Sequence, residues 1–291
     1  MNPIDISTVP HYGLSISDFI RQALLEDIGD GDHTSLSTID PDSKGKARVM
    51  VKEDGVIAGL VVADQVLNIV DSSLVVKVLV QEGAFVKQKD VVMEIEGSVM
   101  SMLKAERLLL NCMQRMSGIA SLTKRYVDAV KGTGAKILDT RKTTPNFRLF
   151  EKWAVSLGGG VNHRFGLYDM ILIKDNHVDA SGGIKKALQK ANDYLKSNGK
   201  ELQIEIETRN LDEVKQVLEF GKANRILLDN FTPELMAEAV RLIHKRIETE
   251  ASGGITLENV RKYAETGVDY ISAGALTHSY KSLDISMKIA K

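Results

Sequence analysis

The chain is short of the features that mark several large protein classes. Its 291 residues include one cysteine, Cys112, five prolines and one tryptophan, and aromatic residues make up 5%. One cysteine excludes an intramolecular disulfide framework, and no Cys/His spacing resembles a structural zinc site, so a reducing, cytoplasmic compartment is expected. Charge of one sign is also missing. Thirty-eight Lys and Arg stand against 39 Asp and Glu, a net −1, which removes the global positive field expected of a nucleic-acid or membrane-surface binder. Neither is an expected partner, and an anionic ligand has to be met by a local cluster. The most apolar stretch, residues 55–70, is interrupted by Asp64, Gln65 and Asn68 and is too short and polar to span a bilayer. The first ten residues lack a basic segment followed by an apolar one and do not read as a secretory signal.

What is present is enough apolar sequence, 43%, for an ordinary compact enzyme of one or two domains, at roughly 100 to 200 residues each. A helical period runs over 16–26. Short β-type runs follow at 47–53, 55–60, 74–81 and 91–96, giving a small α+β, sandwich-like domain. The stretch VLVQEGAFVKQKDVVMEIEG resembles lipoyl and biotinyl carriers, and Lys104 falls near the place of a carried cofactor. Lys104, however, opens a strongly helical segment, which argues against a carrier.

From about residue 135 strands at 136–140, 170–174, 202–207, 225–229, 247–251 and 270–273 alternate with amphipathic stretches such as LDEVKQVLEF. This βαβα rhythm implies a parallel sheet. Each strand ends abruptly in polar chemistry: DTRKT, IKDNH, IEIET, LLDN, EASGG and ISAGA. In a (β/α) barrel the C-terminal strand ends line one mouth, so the expected fold is α/β, an incomplete barrel of about six to seven strands behind the N-terminal domain. The domains are expected at 1–111 and 112–277, with a tail at 278–291 packing on the first.

Arg141, Lys142, Arg148, His163, Arg164 and Lys174 would repel one another at one mouth unless a multiply anionic ligand neutralised them. Glu207 and Asp229 face them from two other strand ends, suited to ribose hydroxyls, a phosphate-bound Mg²⁺ or a developing cation. Planar guanidinium groups grip carboxylates through paired hydrogen bonds, which makes Arg141 and Arg164 candidate clamps, assisted by Thr140, His163 and Lys174. The two glycine-rich endings suit a phosphate, because small residues let backbone N–H groups approach it. A strand-end lysine such as Lys174 also permits a Schiff-base lyase.

DTRKTTPNFR, EKWAVSLGGGVNHRFGLYDMILIKDNH, IEIET, LLDNF, EASGGI and GVDYISAGALTHS, preceded by EDIGDGDHTS and ERLLLNCMQRMSGIAS, resemble the quinolinate phosphoribosyltransferase family over residues 26–284. One departure is Asn146, where the family more often has glycine. The resemblance implies that quinolinate and phosphoribosyl pyrophosphate give nicotinate mononucleotide, pyrophosphate and CO₂ with Mg²⁺, a step of NAD biosynthesis. It places Arg141, Arg164, Thr140, His163 and Lys174 on quinolinate and Lys142 near the pyrophosphate. Glu207 and Asp229 go near ribose and metal; Ser252, Gly253, Gly254, Ala273, Gly274 and Ala275 surround the 5′-phosphate. It further implies a homodimer in which Arg107 enters the neighbouring site, with assembly to a hexamer left open. A relative that transfers phosphoribosyl to another ring acid is the nearest alternative.

Overall fold

The computed structural model describes residues 15–290, so the N-terminal stretch read above as no secretory signal lies outside the described residues. Two compact units form, one from residues 1–124, 145–159 and 280–291 and the other from 125–144 and 160–279. The first begins with α1 (Ile16–Ile28), opened by a reciprocal cap in which Ser15 Oγ accepts the Asp18 N–H and the Asp18 carboxylate accepts the Ser15 N–H, satisfying donors that a helix start otherwise orphans. After α2 (His33–Thr38) and β1 (Lys44–Val51), a short ladder joins β2 (Gly55–Val56) to β4 (Phe85–Val86), with α3 (Leu60–Val70) and β3 (Val75–Val78) between them in sequence. β5 (Val91–Ser98) leads into α4 (Val99–Ala129), and later segments add α5 (Arg148–Leu157) and β12 (Ile285–Ala290). The main sheet is antiparallel in the order β12-β1-β5-β3.

In β1 residues alternate, with Ala47, Val49 and Val51 buried and Arg48 beside Glu94 at the surface, as a half-buried strand requires. Those buried positions share one core with Ile20 and Leu24 of α1, Leu60 and Leu67 of α3 and Met102, Leu109 and Met113 of α4. Each such side chain removed from water contributes roughly 1.5–3 kcal/mol. The segment resembling a carrier module supplies β4 of the short ladder and most of β5 of the main sheet, and Lys104 is an exposed helical residue of α4.

Two local expectations change. The strand expected over 55–60 survives only as β2, because the chain turns at Gly59 (φ 92°) into α3. The Glu82 carboxylate accepts the Gly59 and Val61 N–H groups at that helix start. The valines of α3 look strand-like in isolation, but helix burial overrides propensity. The domain junction expected at 111/112 falls inside the continuous α4, and the C-terminal strand β12 pairs antiparallel with β1.

The second unit alternates β6 (Lys136–Leu138), β7 (Ile171–Ile173), α6 (Asp175–Ser181), α7 (Ile184–Ser197), β8 (Ile204–Thr208), α8 (Leu211–Phe220), β9 (Arg225–Asp229), α9 (Pro233–Ile243), β10 (Glu248–Ser252), α10 (Val260–Ala264), β11 (Tyr270–Ser272) and α11 (Ala275–His278). Its strands are all parallel in the order β6-β11-β10-β9-β8-β7. β6 and β7 are the two edges, so the barrel is incomplete. An isolated parallel bridge between Leu138 and Val161 adds only a stub beside β6. Because the strands run one way, their polar C-terminal ends share one rim.

Candidate active site

Side chains of a strand alternate between faces, and the register stacks the inward ones in layers. Glu205 lies opposite Arg225, Glu207 and Glu250 opposite Leu227, and Ser252 opposite Asp229. The lowest layer is Arg225, whose guanidinium sits 4.0 Å over the Tyr270 ring and 3.1 Å from Glu248. Glu205, level with Arg225, and Glu250, level with Glu207, are both buried, with Glu250 3.1 Å from Arg225. Asp229 and Ser252 share the last level at the strand ends, and Gly274 follows β11.

Glu207 and Asp229 are a strained pair. Burial, then the Asp229 charge, raises the Glu207 carboxyl above its usual range while Lys174 opposes the rise. Burial likewise raises Asp229, against the Asn230 amide at 2.7 Å, Lys174 and Lys142. Lys174 ends β7 at the start of α6. Lys142 is held from the neighbouring strand end, where Thr277 Oγ1 donates to its carbonyl at 2.8 Å and its Cδ lies against Gly274. Thr140 Oγ1 accepts the Lys142 N–H at 3.0 Å, shaping the turn that presents Arg141.

Arg164 is 9% exposed. Burial and then the Arg141 charge push its guanidinium below the normal arginine range, so Arg164 stands at this rim within reach of a second cation. His163 sits beneath them, its Nε2 2.8 Å from Glu205 and 3.4 Å from Glu250. Burial opposes charge on this ring; the two carboxylates favour it. Ser252 accepts the Asn230 N–H on its carbonyl, and Gly253 follows at φ 92°, where a Cβ would strike Asn230. Ala273 is buried at the end of β11, and Gly274 and Ala275 begin α11. Thus the residues expected at the mouth, from Thr140 to Ala275, all belong to one unit and one rim. Arg107 and Arg148 do not: they lie in the first unit, Arg107 exposed on α4 and Arg148 at the first turn of α5.

Residues 32–117 match the sequence pattern described as "Quinolinate phosphoribosyl transferase, N-terminal domain", and residues 119–288 that of its C-terminal domain. The chain belongs to the quinolinate phosphoribosyltransferase family. Among curated members of that family it is 47% identical to the chloroplastic nicotinate-nucleotide pyrophosphorylase [carboxylating] of Arabidopsis thaliana, over 96% of this chain and 84% of that one. It is 41% identical to the probable nicotinate-nucleotide pyrophosphorylase [carboxylating] of Bacillus subtilis, over 95% and 94%. The solved structure of NadC from Streptococcus pyogenes superposes with a TM-score of 0.91 at 39% identity, covering 97% of this chain and 99% of that one.

Sequence reasoning passed over Glu205, Glu250, Asp139 and Asp169, which build the floor and frame of the quinolinate phosphoribosyltransferase rim. Asp139 accepts the His163 N–H at 2.9 Å, and Asp169 accepts the N–H groups of Phe165 and Gly166 at 2.6 and 2.8 Å. A signal existed for the first two. Glutamates two apart on a strand share a face, so Glu205 follows from Glu207, and Glu250 from Ser252.

Proposed function

We propose that the protein transfers the phosphoribosyl group of 5-phosphoribosyl 1-pyrophosphate to quinolinate with decarboxylation, giving nicotinate mononucleotide, pyrophosphate and CO₂ in NAD biosynthesis. The observation that carries this reading is the gathering of Arg141, Lys142, nearly buried Arg164 and Lys174 on the same rim as the acid pair Glu207 and Asp229. Two neighbouring carboxylates of a flat diacid relieve the cations through charge-assisted hydrogen bonds, while positive charge developing on the ribose relieves the acids. Thr140 and Lys174 complete the quinolinate side as expected from the family resemblance, and His163 lies next to Arg164 in the chain. Ser252, Gly253, Gly254, Ala273, Gly274 and Ala275 offer small side chains and backbone N–H groups to the 5′-phosphate.

Departure of pyrophosphate toward Lys142 leaves the ribose cationic beside Glu207 and Asp229. The quinolinate nitrogen then attacks the anomeric carbon; cleavage of the adjacent carbon–carboxylate bond releases CO₂ and leaves its electron pair on that ring carbon, stabilised by the neighbouring quaternised nitrogen, and a proton from solvent completes nicotinate mononucleotide. Positioning and electrostatics are the main catalytic contributions. The oxygen donors Glu207, buried, and Asp229, half-buried, whose charge raises Glu207, fit Mg²⁺. Held mainly by the pyrophosphate, the ion would supply charge neutralisation of the leaving group. No helix among the described residues is long and apolar enough to cross a membrane, and the near-balanced charge favours small-molecule partners over nucleic acid. A cytoplasmic homodimer in which Arg107 of the partner subunit completes each site is the assembly we propose. Purified protein given quinolinate, phosphoribosyl pyrophosphate and Mg²⁺ should form nicotinate mononucleotide and CO₂, and nicotinate in place of quinolinate should not support turnover. Turnover with nicotinate alone would refute the assignment.

A further inference from the structure

The segment that carries Arg164 is fastened from several sides. His163 donates its backbone N–H to the buried Asp139 carboxylate at 2.9 Å, and its Nδ1 accepts the backbone N–H of Arg164 at 2.7 Å. Its Nε2 lies 2.8 Å from Glu205 Oε2 and 3.4 Å from Glu250 Oε2. The His163 side chain is 7% exposed. On the other side of Arg164, Asp169 holds the Phe165 and Gly166 N–H groups, and Arg164 Nη1 donates to the Met170 carbonyl at 3.3 Å. The ligand atoms of His163, Glu205 and Glu250 lie within 4.8 Å of one another, close enough for a cation. Arg225, 3.1 Å from Glu250, already supplies the positive charge there.

Both ring nitrogens of His163 are therefore engaged by the protein, one below and one alongside. Resting on the quinolinate reading above, we propose that His163 is a positioning residue and not a ligand of the substrate, with Glu205 and Glu250 as the struts that hold it. The buried carboxylates fix the imidazole, the imidazole fixes the Arg164 backbone, and Arg164 is thereby aimed at a quinolinate carboxylate. This changes the role that the family resemblance gives His163 and adds two residues that lie below the rim.

The test is a double-mutant cycle on the full-length protein, with the Michaelis constants for quinolinate and for phosphoribosyl pyrophosphate measured separately. His163→Ala and Glu205→Gln should each raise the quinolinate KM about tenfold, a change of about 1.4 kcal/mol, and leave the donor KM within twofold. The double variant should be no worse than the poorer single one, because both changes break the same support. His163→Asn, whose amide oxygen falls near the Nδ1 position, should recover much of the loss. This tests the link from His163 to the Arg164 backbone even if Glu205→Gln does not fold. The inference is overturned if Glu205→Gln leaves the quinolinate KM unchanged while His163→Ala raises it. Multiplying effects in the double variant, or no recovery by asparagine, would also overturn it. Wild-type protein that fails to turn over quinolinate removes the functional reading and this inference with it; the other adverse results remove this inference alone.

Discussion

Replacing Gly274 by alanine should separate donor binding from folding. Gly274 has φ −61° and ψ −28°, a conformation alanine adopts freely, so backbone strain is not introduced. An added Cβ would lie 2.9 Å from Lys142 Cδ and 3.0 Å from His278 Nε2. The Lys142 backbone is pinned by Thr277, leaving its flexible side chain to give way and its ammonium to leave the pyrophosphate position. Loss of a hydrogen bond to a charged group costs about 1.5–3 kcal/mol, which at about 1.36 kcal/mol per decade is about 10- to 160-fold in the donor KM. Stability should change by less than about 1 kcal/mol, since Gly→Ala at a compatible site restricts the unfolded chain. Gly253→Ala is the contrasting control. There φ is 92° and the Cβ would lie 2.9 Å from the Asn230 backbone nitrogen, which is held by Ser252, so about 1–3 kcal/mol of strain should appear as a lower melting temperature. Initial-rate kinetics with varied donor, paired with thermal melts, check both. A donor KM within twofold of wild type for Gly274→Ala, or a melt as depressed as that of Gly253→Ala, would refute the reasoning.

Further outcomes follow from the same rim. Burial raises the Glu207 and Asp229 pKa values, so their contribution to stability is complete below the ordinary carboxylate range and is lost as pH rises through the raised values. Denaturant midpoints should therefore gain from acidification over that window, and Glu207→Gln should raise the neutral-pH midpoint while lowering kcat; a destabilised Glu207→Gln would contradict this. Arg141→Ala or Arg164→Ala should weaken quinolinate binding by about 1.5–3 kcal/mol with donor binding largely retained, as calorimetry of each ligand can show; an unchanged quinolinate affinity counts against the clamp. Mixed assemblies of Arg107→Ala with Lys174→Ala subunits should regain turnover that neither variant shows alone, and no recovery would mean that sites are not shared.

The barrel was readable from sequence because each parallel strand is a short apolar run that stops at a polar residue, and the strand expected at 225–229 matches β9 residue for residue. The rim was readable for the same reason. Its floor was not: Glu205 and Glu250 sit in strands that carry further polar residues, and the cations that lie beside them, His163 and Arg225, are distant in sequence, so nothing local marks the two glutamates as buried. The helix α3 was hidden because apolar Val61, Ile69 and Val70 lie outside its buried stripe of Leu60, Val62, Ala63, Val66 and Leu67, which blurs the one-sided period that marks a surface helix. The helix α5 falls in a stretch read only as a motif, and nothing local says that it joins the first unit. Asn146 explains itself once its φ of 61° is known: apart from glycine, asparagine is among the residues most at ease in a left-handed turn.

The pairing of β1 with β12, in which Lys46 meets Ala290, has a consequence for biosynthesis. At a ribosome moving about 5–20 residues per second, the first sheet waits on the order of 10–50 seconds for its last strand. Throughout that interval β1 carries an open hydrogen-bonding edge, the kind that recruits other chains. A nascent chain stalled before residue 285 should therefore be a strong chaperone client, and emergence of residues 285–290 should end that dependence.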